Sequence, residues 1–160
     1  MGVRNVKELI VYKKSYEQAM KFFEISKRFP AEERYALTGQ GRRSSRSVPM
    51  NLREAWAKRR YAAHFVSKLT DCDGENAETD TSWDFARDCG YITTEEHAEM
   101  TTLNHEIGKM LGSMIRTPEK FLLTPDSWRA TTRRNYERHD YYTDNINSPS
   151  EHRHGARCGT

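Results

Sequence analysis

The chain has only three cysteines, Cys72, Cys89 and Cys158, and no two of them stand in a CxxC spacing. That scarcity argues against a zinc site or a disulfide framework and suits a reducing cytoplasm. Long hydrophobic runs are also missing: no apolar stretch approaches the roughly 18 residues of a membrane span. The opening MGVRNVKELIVYKK is charged too early and too often for a signal peptide. A cytoplasmic protein without membrane contact is expected. Apolar residues are scarce altogether, 36% of 160, and the mean hydropathy is −0.94. Either the helices are strongly amphipathic or part of the chain is unfolded, and both are expected here. The length suits one domain, and there is no internal repeat.

Helical periodicity fills the first three quarters of the chain. Leu9, Tyr12, Tyr16, Ala19 and Phe23 recur at gaps of three and four, predicting a first helix over about Val6 to Arg28 with that stripe inward. Phe29-Pro30 ends it. A second helix carries Leu37, Gly41, Ser44, Val48, Leu52 and Ala55 on an inner face of small residues. Pro49 removes a backbone donor there, so a kink or break is expected near Arg46 to Val48. Phe65, Leu69, Cys72, Asn76, Thr79, Trp83 and Ala86 mark a long third helix from Tyr61 to Cys89, stopped by Gly90. Thr93 and Glu96 have capping-box spacing, and Met100, Leu103, Ile107, Met110 and Met114 follow on a fourth helix ending near Thr117-Pro118. The expected fold is all-α: an antiparallel up-and-down four-helix bundle over residues 1–123. Residues 124–160 read as a flexible, disordered tail, with a short helix around Trp128 to Arg138 as the one element it could hold.

Reactive chemistry is not encoded in any recognisable constellation. A di-metal bundle site needs Glu-x-x-His steps, yet the residues three before His64, His97 and His105 are Tyr61, Thr94 and Thr102. Cys72 sits on an inner stripe as a small apolar residue. Cys89 lies at a helix C-terminus, where the dipole disfavours a thiolate. His152 and His154 stand in the tail and read as incidental. No catalytic residue, metal or cofactor is expected. Asn76 and Thr79 read as buried polar residues of the kind that find polar partners inside a bundle and fix alignment or oligomer state.

Charge is distributed unevenly. Leu37 to Arg60 holds Arg42, Arg43, Arg46, Arg53, Lys58, Arg59 and Arg60 against Glu54 alone, seven against one, a local net of +6 in a chain of +3. Asp71 to Asp88 holds seven acids against Arg87, a local net of −6. The basic segment invites RNA or DNA, with Arg59 and Arg60 beside Trp56 and Tyr61 as an aromatic-cationic mix. The alternative is a protein-interaction scaffold in which the basic and acidic faces meet, within one subunit or between subunits.

The segment Phe29-Pro30-x-Glu-Glu-Arg-Tyr35-x-Leu-Thr-x-Gln40-x-Arg-Arg43, followed by Ser47-Val48-Pro49-x-Asn51-Leu52-x-Glu54, resembles a bacterial four-helix-bundle family whose founding members are encoded in intervening sequences of large-subunit ribosomal RNA. The resemblance covers roughly residues 6 to 121. It implies a homopentameric ring, no catalytic activity and RNA or DNA binding. A related branch, accessory proteins of diversity-generating retroelements, also implies a reverse transcriptase as a possible partner. The family pattern marks Gln40, Arg42, Arg43, Ser47, Pro49, Asn51 and Glu54. Of these, Ser47 and Asn51 are expected to satisfy backbone groups freed at Pro49, and Glu54 to pair with an arginine. The chain departs from the pattern at Gly41, where a branched aliphatic is usual, at Arg53, and at Ser82-Trp83. A missing core side chain at Gly41 costs about 2 to 5 kcal/mol unless the site collapses. Trp56, Phe85 and Phe121-Leu122-Leu123 are expected to offer apolar surface to neighbouring subunits.

Overall fold

Four long helices form where the periodicity predicts them: α1 (Ile10–Ile25), α2 (Leu37–Ala57), α3 (Ala62–Asp88) and α4 (Thr94–Arg116). Short 3₁₀ turns at Val6–Glu8, Ser26–Arg28, Ala31–Tyr35 and Pro118–Lys120 flank them. The computed structural model describes residue 3 and residues 5–124. The expected tail, the short helix at Trp128 to Arg138, and His152, His154 and Cys158 lie outside the described residues. Each helix packs beside its sequence neighbour and α1 closes against α4, so the chain is an up-and-down bundle, in a compact unit that ends at Leu122. No helix among the described residues is long and apolar enough to cross a membrane.

The helix ends follow from local chemistry. Gly90 takes φ +74°, and the Tyr91 and Gly90 amides return to the Ala86 and Arg87 carbonyls at 2.8 and 2.9 Å, satisfying the free acceptors that end α3. Thr93 Oγ1 accepts from the Glu96 amide at 3.2 Å while the Glu96 carboxylate accepts from the Thr93 amide at 3.0 Å, the predicted capping box of α4. Glu33 accepts from the Leu37 amide at 3.1 Å and so caps α2 from the preceding turn.

Three expectations need correction. On α1 the predicted stripe is rotated: Tyr16 is 55% exposed, and the buried seam is Val11, Ser15, Gln18, Ala19 and Phe22. The shift is one position, about 100° around the helix, and it follows from burying polar Ser15 and Gln18. At Pro49, α2 runs on without a break. Ser47 Oγ donates to the Arg43 carbonyl at 3.0 Å; Pro49 orphans the Ser45 carbonyl, and Asn51 forms no side-chain hydrogen bond among the described residues. Glu54 pairs with lysines, Lys58 at 2.6 Å and Lys68 of α3 at 3.0 Å, rather than with an arginine.

Inside the bundle two apolar cores lie on either side of a polar layer. The first gathers Val11 of α1, Val48 and Leu52 of α2, Phe65, Leu69 and Cys72 of α3, and Ile107 and Leu111 of α4. Trp56, Phe121 and Leu122 pack against it, so of the expected surface residues it is Phe85 that stays open, at 60% exposure. The second core joins Phe22, Phe29, Leu37, Trp83, Ala86, Ile92 and Met100. Between them Gln18 donates to Asn104, Asn76 and Asn104 exchange hydrogen bonds, and Thr79 donates to Ser44 at 3.0 Å. One residue or more from every helix enters this layer.

Gly41 leaves no cavity. A Cβ built there would lie 1.9 Å from the Phe22 ring, so the ring occupies the volume that an aliphatic side chain on α2 would fill. Phe22 in turn packs against Trp83, the ring centroids 4.4 Å apart and the planes tilted by 46°. Gly41→Ala is therefore expected to destabilise the protein by about 1 to 3 kcal/mol through overpacking, even though alanine is the better helix former by about 1 kcal/mol. A urea midpoint that rises in this variant would show that the Phe22 ring has another place to go.

Candidate nucleic-acid interface

The seven basic residues of the second segment do not form one patch. Helical geometry sorts them, because residues three and four apart share a face. Arg42, Arg46 and Arg53, at gaps of four and seven, line the side of α2 that meets α1. Arg43 turns to α3, where it bonds Glu78 at 2.9 Å and reaches Glu75 at 3.5 Å. Lys58 is paired with Glu54. Arg59 lies 3.4 Å over the Trp56 ring centroid and its Nε donates to the Trp56 carbonyl at 2.7 Å, which closes the C-terminus of α2. Burial lowers its pKa to about 10, so it keeps its charge at neutral pH. Arg60 stands 5.8 Å from the Tyr61 ring centroid. The aromatic-cationic mix at this corner is thus satisfied within the chain.

The α1–α2 seam is different. Arg42 and Arg46 converge on the Phe23 ring, 4.9 and 5.5 Å from its centroid, with Lys27 at 4.6 Å. Arg42 Nε also donates to Ser26 Oγ at 2.8 Å, while Lys27 is tied to Glu24 at 2.7 Å. Among the described residues no carboxylate pairs with Arg42, Arg46 or Arg53. One turn along, Arg46 and Arg53 flank a groove walled by Tyr12, Tyr16, Met20 and Met50. Tyr12 and Tyr16 stack at 6.4 Å with an interplanar angle of 20°. Tyr12 still packs against the first core, as the periodicity predicted, whereas sequence reasoning missed Tyr16 and Phe23 because it assigned them to the inner stripe; the polar Ser15 and Gln18 were the available sign that the stripe was rotated.

Of the family-motif positions, Glu54 holds the α2–α3 ion pairs described above, Pro49 is buried, and Ser47 bonds back to Arg43. Gln40 is exposed, in a shallow groove with Leu37, Gly74, Ala77 and Phe85. Tyr35 is 88% exposed.

The opposite seam, between α3 and α4, has inverse polarity. Asp73, Asp80 and His105 line it beside Asn76 and Asn104, and Asp84 accepts from or pairs with His97 at 2.8 Å. Asp80 Oδ1 is buried without a hydrogen-bond partner. Its pKa is raised, first by desolvation and then by Asp84. No group of three or more His, Cys, Asp or Glu residues able to hold a metal exists among the described residues. Cys72, the buried thiol, donates to the Val48 carbonyl at 3.6 Å, and burial pushes its pKa up to about 12, far from a nucleophile's.

Because the folded pKa of Asp80 lies above its unfolded value of 3.8, the charged carboxylate opposes folding at neutral pH, and that cost vanishes once both states are protonated. Asp80→Asn is expected to raise the thermal midpoint at pH 7 and to leave it unchanged near pH 3. An equal gain at both pH values would assign the effect to packing instead.

No curated protein matches the chain. A crystal structure of a protein of unknown function from the S23 ribosomal protein family of Bacteroides thetaiotaomicron VPI-5482 superposes with a TM-score of 0.62 at 30% identity, covering 68% of this chain and 96% of that one. The family model for the 23S rRNA-intervening sequence protein matches residues 7–113, which spans α1 to α3, α4 as far as Ser113, and the seven basic residues of the second segment. The chain belongs to the 23S rRNA-intervening sequence protein family.

Proposed function

We propose that this bundle is a non-enzymatic nucleic-acid-binding protein whose α1–α2 seam contacts the phosphates of RNA or DNA. The observation that carries the reading is the set Arg42, Arg46 and Arg53, which shares one seam and meets no carboxylate among the described residues, while Arg43 and Lys58 are neutralised within the chain. Phosphate neutralisation by arginine releases counterions, so affinity follows salt. With three arginines per subunit engaged, the slope of log affinity against log salt is expected near −2 to −3, about −0.7 to −0.9 per contact. Anisotropy titrations over a range of salt check this, and binding that ignores salt would overturn it. Charge reversal of Arg42 and Arg46 separates the reading from a protein-interaction scaffold: loss of binding with unchanged mass supports it, whereas dissociation of an assembly favours the scaffold.

The same reading has the chain act as a cyclic homo-oligomer, a pentamer by family resemblance. Phe85 and Tyr35, 60% and 88% exposed, support it, since large apolar side chains left open to solvent mark subunit contacts. Phe85→Glu is expected to lower the mass seen by light scattering while the helical signal is kept. A monomeric parent protein would refute the assembly.

A further inference from the structure

The groove beside the arginines has features that phosphate binding alone does not need. Its walls are apolar and aromatic: Tyr12 and Tyr16 in a stacked pair on α1, with Met20 of α1 and Met50 of α2. Tyr16, Met20 and Met50 are 55%, 44% and 70% exposed. A soluble protein gains nothing from presenting these side chains to water, whereas a stack of two rings edged by cations matches the chemistry of an unpaired nucleobase next to its own phosphate. Arg46 touches both features, since it lies over Phe23 on one side and edges the groove on the other.

Duplex nucleic acid fits this arrangement poorly. Its bases are stacked on one another and offer no free ring face to Tyr16, so only its backbone could use the arginines. A single strand can lay phosphates along Arg42, Arg46 and Arg53, which span about 16 Å of helix at 1.5 Å per residue, and turn a base into the groove. Charge complementarity also excludes the α3–α4 groove, where Asp73 and Asp80 would repel the same strand. The stacking is sequence-tolerant, because every base has a ring face.

We infer that the ligand of this seam is single-stranded nucleic acid, held by its phosphates on Arg42, Arg46 and Arg53 and by at least one base stacked on the Tyr12–Tyr16 pair. The inference rests on the nucleic-acid reading above and narrows it to a strand class and a stacking residue.

The full chain is titrated by anisotropy with three labelled probes of equal length: a polythymidine strand, the same sugar-phosphate strand without bases, and a duplex. The thymidine strand is expected to bind about tenfold more tightly than the abasic strand. Tyr16→Ala is expected to abolish that preference without altering the salt slope, and Tyr16→Phe to keep it. Arg46→Gln is expected to weaken both single strands alike and to reduce the salt slope by about 0.7. Equal affinity for the thymidine and abasic strands, or a preference for duplex, overturns the stacking inference while leaving the phosphate reading intact. No binding to any probe overturns both. If Tyr16→Ala lowers the oligomeric mass seen by light scattering, the groove is a contact between copies of this chain and the inference falls.

Discussion

The buried polar layer is the constraint on which the rest of this bundle depends. Asn76 and Asn104 hold α3 and α4 in one register by bonding each other's backbone carbonyls at 3.0 and 2.6 Å, Gln18 fixes α1 to Asn104, and Thr79 fixes α2 through Ser44. Apolar cores tolerate sliding, since one aliphatic contact resembles another. Buried amides do not, because a displaced amide loses its partner and costs about 1 to 3 kcal/mol. A slip of one helical turn would bring Asn76 opposite Met100 or Gly108 and strand both amides. The layer therefore selects one alignment of four helices whose apolar faces would accept several.

Fixing Gln18 inward also decides which face α1 shows to solvent. With Gln18 and Phe22 buried, Phe23 moves to the edge of the α1–α2 seam, and Tyr16 and Met20 turn out of the core. Phe22 can sit that close to α2 because Gly41 has no side chain, and Trp83 closes the far side of the ring. Gly41 and Trp83 are thus two sides of one packing solution. It carries a cost, because the Trp83 indole nitrogen is buried without an acceptor. The same rotation that gives the Gln18 amide nitrogen its partner assembles the arginine-lined groove, so the fold and the site share a cause.

That coupling explains what could be read in the sequence. The α3 stripe from Phe65 to Ala86 is buried at every predicted position, and the α2 stripe from Leu37 to Ala55 likewise. The stops at Gly90 and the capping box at Thr93 were legible too, because they depend on residues adjacent in sequence. On α1 the apolar pattern misled, since tyrosine counts as apolar in a periodicity yet carries a hydroxyl that tolerates exposure, while Ser15 and Gln18 count as polar yet find partners inside the bundle, Ser15 in the Tyr12 carbonyl of its own helix and Gln18 in Asn104 of α4. The basic segment was legible as a charge and not as a site. Whether an arginine meets solvent or a carboxylate depends on the register between α2 and α3, and only the interhelical hydrogen bonds set it.

The α1–α4 seam is closed by the pairs Lys14–Glu106, Lys21–Glu99 and Arg28–Glu96, and the other three seams divide the charge of the basic and acidic segments. Between α2 and α3, Arg43 with Glu75 and Glu78, and Glu54 with Lys58 and Lys68, cancel locally. The −6 segment and the +6 segment spend part of their charge on each other there. What is left over is segregated: Asp73 and Asp80 toward α4, Arg42, Arg46 and Arg53 toward α1. Exposed ion pairs contribute little stability, about 0 to 1 kcal/mol each, so their main effect is to remove charge from one face and not from another. Over distances beyond about 8 Å, salt screens the remote acids from a ligand on the α1 side. A chain of modest net charge can therefore present a locally strong cationic seam, provided the polar layer keeps its helices in the register that pairs Arg43 and leaves Arg46 to the solvent.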